Sequence, residues 1–164
     1  MQLFLPTILS TLAVLSRICN SQIVVSDHGT TTEPADGAVI TPGDTFPFAF
    51  EPAPFGTQVC FAAYEPIDIY LSTSPPVAAD VTGGVNSPCG LVGSSFVVDF
   101  GGYVVPHFSG LPPVGSGFPP SNFTMPTLDV VENATLYLTV LESFTDCKSE
   151  ETYCGIETTT VVYA

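Results

Sequence analysis

The chain has 164 residues, of which 16 are acidic and only two are lysine or arginine, giving a formal net charge of −14 at pH 7. This imbalance excludes nucleic-acid binding, because an acidic protein repels the phosphate backbone. The length suits one domain with its own core, and 16 prolines and 14 glycines scattered along the chain disfavour long helices.

The first 21 residues have the pattern of a secretory signal peptide. An apolar run at 1–15 is too short to span a bilayer, and a polar stretch at 16–21 follows it. Cys19 and Ser21 would place small side chains at the −3 and −1 positions of a cut after Ser21. We therefore expect a secreted, extracellular mature chain, 22–164, that forms a single domain. No later apolar segment reaches the length of a transmembrane helix, so no membrane span is predicted.

Short strands account for most of the mature sequence. At 46–50 three phenylalanines alternate with smaller residues, and Pro47 favours a sheet edge. The clearest alternation is at 134–141, where leucine and valine alternate with threonine and tyrosine. The series predicts an all-β fold, a single antiparallel β-sandwich of immunoglobulin-like or fibronectin III-like size. In chain order, the predicted strands cover 23–25, 38–40, 46–50, 58–64, 67–72, 96–100, 103–105, 134–141 and 158–163.

Two stretches lack strand character and are predicted to be long loops, at about 73–90 and 106–126. The second carries two Pro-Pro pairs around glycines and displays Phe108, Leu111, Phe118 and Phe123. Long loops that carry apolar side chains are often functional. We expect Phe108, Leu111 and Phe118 to be apolar anchors for a partner. The alternative is a crossover loop that packs its aromatic side chains onto the domain.

Four cysteines remain after removal of the signal peptide: Cys60, Cys89, Cys147 and Cys154. In an oxidising compartment an even number predicts disulfides, and four cysteines allow three pairings. We favour Cys60–Cys89 and Cys147–Cys154, because each would close a segment that carries turn residues. A zinc site is disfavoured, since the spacing contains no C-x-x-C pair.

Two sequons are present, at Asn122 and Asn133. In a secreted chain both are candidate N-glycosylation sites, and both asparagines are then expected at the surface.

The sequence contains no nucleophile, zinc-protease or phosphate-loop motif. His28 is expected in a mobile terminus and His107 on a loop surface. Glu65 and Asp68 are interpreted as ordinary solvated charges. We therefore predict no catalytic residue, no metal and no cofactor, and a protein that is not an enzyme. A copper site on an N-terminal histidine would need a different signal-peptide cut.

Four motifs occur in a characteristic order: PADGAVITPGDTF at 34–46, LPP at 111–113, PPSNFTMP at 119–126 and NATLYLTVLE at 133–142. Together they resemble the fungal necrosis-inducing secreted protein family, and the resemblance covers roughly 34–163. The resemblance implies a small, all-β, effector-like binding protein that carries no family catalytic residues. It also implies engagement of plant receptor-associated kinases, suppression of host immunity and induction of cell death, in the extracellular space or after translocation into host cells.

A cell-wall or polysaccharide-associated module is the alternative function. Tyr64, Tyr70 and Tyr103 would then be the residues that stack on sugar rings. The absence of tryptophan weakens this interpretation.

Overall fold

A computed structural model describes residues 23–54, 63–84, 87–107, 109–112, 114–115, 117–145 and 151–164. The predicted signal peptide, 1–21, lies outside these residues. No α-helix occurs in the described part of the chain, so the prediction of an all-β fold is confirmed. A short 3-10 helix spans Ala78–Asp80. The strands are β1 (Ile23–Val25), β2 (Thr30–Glu33), β3 (Ala38–Ile40), β4 (Thr45–Pro47), β5 (Ala49–Glu51), β6 (Tyr64–Ser72), β7 (Val81–Gly84), β8 (Ser87–Leu91), β9 (Val98–Pro106), β10 (Asn122–Thr124), β11 (Ala134–Thr145) and β12 (Thr152–Tyr163).

The main sheet has six strands in the order β1-β12-β11-β6-β9, and β3 also pairs with β12. The pairs β11–β12, β11–β6 and β6–β9 are antiparallel, whereas β1 and β3 both run parallel to β12. The sheet is therefore mixed, and the prediction of a purely antiparallel arrangement is wrong. Three antiparallel strand pairs accompany it: β4–β10, β2–β5 and β7–β8.

Alternation along the central strands builds the larger core. Ile67, Ile69 and Leu71 of β6 are all 0% exposed, as are Leu136, Leu138 and Val140 of β11. These side chains share one sheet face because successive side chains of a strand point to opposite sides. Phe46 of β4, Phe48 just after that strand and Phe123 of β10 pack into the same cluster. The predicted aromatic face of 46–50 therefore does enter the core.

The opposite face of the main sheet is covered by the β7–β8 hairpin. Val81, Cys89 and Leu91 of the hairpin are buried together with Tyr70 and Leu141 of the sheet. The prediction that 73–90 is a loop is wrong in part, since β7, most of β8 and the 3-10 helix lie within it. Burial on both faces explains why every residue of β11 from Leu138 to Phe144 is buried.

The outer strand β9 is continuous but irregular at 101–102, where the sequence predicts a break between two strands. Ile69 of β6 pairs with Gly101, but the next residue, Tyr70, pairs with Asp99, so Phe100 is the extra residue of β9. Gly101 has φ +103. A β-bulge with a glycine at positive φ adds one residue without ending the strand. Beyond β9, the stretch 106–126 contains β10, and Phe123 is 7% exposed. The expectation that this stretch displays Phe123 is therefore wrong.

Candidate functional site

The predicted binding segment, 106–126, folds back along β9 and the start of β6. The Tyr64 hydroxyl donates a hydrogen bond to the Pro112 carbonyl oxygen at 2.5 Å, and the Val104 amide donates to the Gly117 carbonyl oxygen at 3.0 Å. The Tyr64 and Phe118 rings stack with centroids 6.2 Å apart and planes at 29°. These contacts fix the described part of the segment against the sheet edge.

The structure places two of the three predicted anchors. Leu111 and Phe118 are both partly buried, between the fully buried core and the exposed surface. Phe108 lies outside the described residues.

Two glutamates lie at one end of the core face, where the alternation of β6 and β11 continues past the apolar residues. Glu65 lies two residues before Ile67, so the two side chains share a sheet face, and Glu65 is 3% exposed. In the same way Glu142 lies two residues after Val140, shares its face and is 0% exposed. Glu142 pairs with Ile67 across the two strands. The interpretation of Glu65 as an ordinary solvated charge is therefore wrong, because strand parity directs it inward.

His107 contacts this polar end of the core. Its Nε2 atom lies 2.9 Å from Oε2 of Glu65, and the two side chains are 6% and 4% exposed, respectively. The backbone N–H of His107 also donates to the Ala63 carbonyl oxygen at 3.1 Å, which extends the pairing of β9 with the chain before β6. The expectation that His107 lies on a loop surface is wrong.

Burial sets the protonation of this pair. Burial, with a further contribution from the neighbouring Glu142 carboxylate, raises the pKa of Glu65 from 4.5 to about 8. Burial also lowers the pKa of His107 from its ordinary 6.5. At neutral pH both shifts favour an uncharged pair, with the protonated Glu65 carboxyl hydrogen-bonded to a neutral imidazole.

Glu142 is held by the backbone of the chain that crosses this end of the sheet. Its Oε2 accepts a hydrogen bond from the Gly29 amide at 2.6 Å, and its Oε1 accepts one from the Ala53 amide at 2.9 Å. Burial raises the pKa of Glu142, while the two amides and the nearby His28 oppose that shift. His28 itself is exposed.

A second pair of carboxyl groups lies on the other face of the sheet. Asp68 lies three residues after Glu65 on β6, so its side chain points to the opposite face of the sheet. Burial, with a contribution from Asp99, raises the pKa of Asp68 to about 6. Because the side chains of Glu65 and Asp68 point to opposite faces, the two carboxyls do not form one site.

The disulfide found in the structure joins Cys89 of β8 to Cys154 of β12, with Cα atoms 5.8 Å apart. The predicted pairings Cys60–Cys89 and Cys147–Cys154 are therefore wrong. Cys60 and Cys147 lie outside the described residues. The bond fastens the β7–β8 hairpin to the sheet face that it covers.

Both sequon asparagines are exposed. Asn122 is in β10, and Asn133 has φ +64 in the turn before β11, where the Ala134 amide donates to the Val131 carbonyl oxygen at 3.1 Å. Each side chain is accessible, as the sequence predicts.

The three tyrosines considered for sugar stacking do not share a surface. Tyr70 is 7% exposed and lies under the hairpin. Tyr64 stacks on Phe118, and the Tyr103 hydroxyl donates to the Phe100 carbonyl oxygen at 2.9 Å while its ring contacts Phe123. The residues do not assemble into an aromatic platform.

Within the described residues, no group of three or more histidine, cysteine, aspartate or glutamate side chains is arranged to hold a metal ion. The same part of the chain contains no helix long and apolar enough to cross a membrane.

Comparison of the chain with protein-family models, with curated proteins and with solved structures gave no match.

Sequence reasoning missed the buried Glu65–His107 pair and its neighbour Glu142. The signal was present, because Glu65 continues the parity of Ile67 and Glu142 continues that of Val140. Charged side chains are mostly exposed in folded proteins, but at these two positions the strand alternation directs them into the core. The arrangement that results can hold and release protons in a site shielded from water, next to the segment predicted to bind a partner.

Proposed function

We propose that this chain is a secreted, effector-like binding protein without enzymatic activity. Its partner is a protein, and the 106–126 segment is the docking surface. Phe108, Leu111 and Phe118 are the proposed apolar anchors, since a few large apolar side chains usually dominate the binding energy of an interface.

The partial burial of Phe118 is the observation that carries this proposal. Its ring stacks on Tyr64, and the preceding Gly117 accepts a hydrogen bond from Val104. An aromatic side chain fixed before its partner arrives loses little conformational freedom on binding, which favours affinity. The partly exposed remainder of the ring is the area offered to the partner.

The negative charge of the chain favours a partner with a basic surface. The chain has a formal net charge of −14, and the described residues contain no lysine or arginine. An acidic surface accelerates encounter with a basic protein surface and disfavours acidic partners.

The resemblance to the fungal necrosis-inducing secreted proteins supports a specific partner class. We propose plant receptor-associated kinases, with suppression of host immunity and induction of cell death as consequences. Contact takes place in the extracellular space or after translocation into host cells.

The binding test compares Phe118→Ala with Val131→Ala, a change at an apolar residue that is 78% exposed outside the segment. Binding of the disulfide-intact protein to purified kinase domains of plant receptor-associated kinases is measured together with the thermal midpoint. We expect Phe118→Ala to weaken binding at least about tenfold, as for an interface anchor, with a nearly unchanged midpoint. A large fall in the midpoint would show that Phe118 is a core residue, and the proposal would fail.

A polysaccharide panel run in parallel addresses the alternative. Retention on chitin, glucan or cellulose, without kinase binding, would support a cell-wall-associated module instead.

Three finer features belong to the same proposal. The strand pairs pack on the main sheet as an immunoglobulin-like or fibronectin III-like β-sandwich. Because Cys89 pairs with Cys154, a second disulfide would join Cys60 to Cys147. Asn122 and Asn133 carry N-glycans. Peptide mapping without reduction, before and after glycosidase treatment, tests the disulfide and both glycans.

A further inference from the structure

We propose that Glu65 and His107 form a proton-dependent latch, which holds the base of the 106–126 segment on the sheet in mildly acidic solution and releases it above neutral pH. The consequence for binding rests on the function proposed above, whereas the latch itself is a property of the chain alone.

The position of the pair connects it to the segment. Glu65 follows Tyr64, which bonds Pro112 and stacks on Phe118. His107 directly precedes the part of the segment that leaves the sheet, and its Nε2 lies 2.9 Å from Oε2 of Glu65. Loss of this contact would leave the buried Glu65 carboxyl without this hydrogen-bond partner, which favours exposure of Glu65 to water at the end of β6.

Apart from His107, no basic side chain contacts Glu65 within the described residues, which contain neither lysine nor arginine. On the same sheet face lie Glu142 of β11, Glu157 of β12 and Tyr103 of β9, and His28 acts on Glu142. Glu157 is engaged by the hydroxyl groups of Thr31 and Thr159. Asp68 faces the opposite side of β6. An ionised Glu65 would therefore meet other carboxylates and no fixed cation.

Proton counting gives the direction of the switch. The closed pair retains one ionisable proton until the pH approaches about 8, the raised pKa of Glu65. In the open state, exposed to water, Glu65 loses its proton above its ordinary pKa of 4.5, while His107 gains one below 6.5. Between these two values both states hold one proton, so opening does not depend on pH.

Above 6.5 the open state has lost the proton that the closed pair still holds. The opening constant then rises about tenfold for each pH unit, or on the order of 30-fold in total by about pH 8. The latch is tightest in mildly acidic solution and loosens through the neutral range.

Hydrogen exchange of the Val104 amide, which donates to Gly117, reports the opening directly. The full mature chain is measured by NMR at about pH 6.5 and about pH 8, with exchange rates corrected for intrinsic pH dependence. We expect the wild-type protection factor to fall on the order of 30-fold. Glu65→Gln cannot ionise and should show no fall over this range. Asp68→Asn removes the half-buried carboxyl of the opposite face, and it should behave as the wild type does.

Wild-type protection that stays constant, or a fall of equal size in Glu65→Gln, would overturn the latch. If Glu65→Gln does not fold, His107→Gln replaces it. Without the imidazole proton, opening should then increase from about pH 4.5, the ordinary glutamate pKa, and not from 6.5. Onset at the same pH as in the wild type would also overturn the latch. Because no partner is present, this result is independent of the Phe118→Ala binding test.

Discussion

The two ends of one sheet face carry opposite chemistry on the same strands. At one end, Leu136 and Leu138 of β11 are 0% exposed and pack against other apolar side chains. At the other end, Glu142 of the same strand is also 0% exposed and lies beside the buried Glu65–His107 pair. Strand alternation therefore decides which side chains are buried, whereas the chemistry of each side chain decides whether its contribution depends on pH.

The largest effect on stability is expected when a side chain is removed from the apolar end. Leu138→Ala should lower the free energy of unfolding by about 4 kcal/mol, because it leaves a cavity at a fully buried position. No titrating group is removed, so the loss should be similar at about pH 5 and about pH 8. Urea denaturation measures both values, and Val131→Ala at the exposed surface should change them by less than about 0.5 kcal/mol.

The pH dependence of the free energy of unfolding of the wild-type protein tests whether protons stabilise the polar end. Folding raises the pKa of Glu65 to about 8 and of Asp68 to about 6, and it raises the pKa of Glu142. The folded state therefore keeps protons that the unfolded state has lost above the ordinary carboxyl pKa, and stability falls as the pH rises through this range.

His107 opposes this trend below 6.5, because its lowered pKa makes the unfolded state the stronger proton binder there. The balance is a net decrease in the free energy of unfolding between about pH 5 and about pH 8, because Glu65, Asp68 and Glu142 hold protons in the folded state that they release on unfolding. Urea denaturation at intermediate pH values traces the decrease. Equal stability at the two extremes would show that the polar end is not held by protons.

A smaller effect is expected from Glu142→Gln. The amide side chain keeps a single oxygen acceptor, so one of the Gly29 and Ala53 amides loses its partner. We expect a cost of about 2 kcal/mol near pH 5, and a smaller cost near pH 8, where the wild type is itself destabilised. Glu132→Gln, at an exposed glutamate, is the comparison and should be nearly neutral.

The sequence predicts a strand correctly where its alternation of apolar and polar residues matches the burial found in the structure. The strand predicted at 134–141 is β11, which continues to Thr145. The predicted strand ends at Leu141, one residue before Glu142, and only the pairing of β11 with both β6 and β12 makes the burial of Glu142 evident. Local pattern cannot supply the positions of those neighbouring strands.

The disulfide shows a second limit. Gly83 and Pro88 interrupt the alternating pattern of β7 and β8, so the sequence predicts a loop around Cys89. Its pairing with Cys154 depends on the hairpin covering the main sheet, which is a tertiary contact. The burial of His107 cannot be predicted locally for the same reason, since its environment is set by Glu65 of β6 and not by adjacent residues.

Carbon-13 NMR of the side-chain carboxyls, with Glu65 assigned by comparison with Glu65→Gln, tests the proton-dependent polar end most directly. The account predicts that Glu65 remains protonated at neutral pH and titrates with a midpoint near 8. A midpoint near its ordinary value of 4.5 would contradict both the buried neutral pair and the latch built on it.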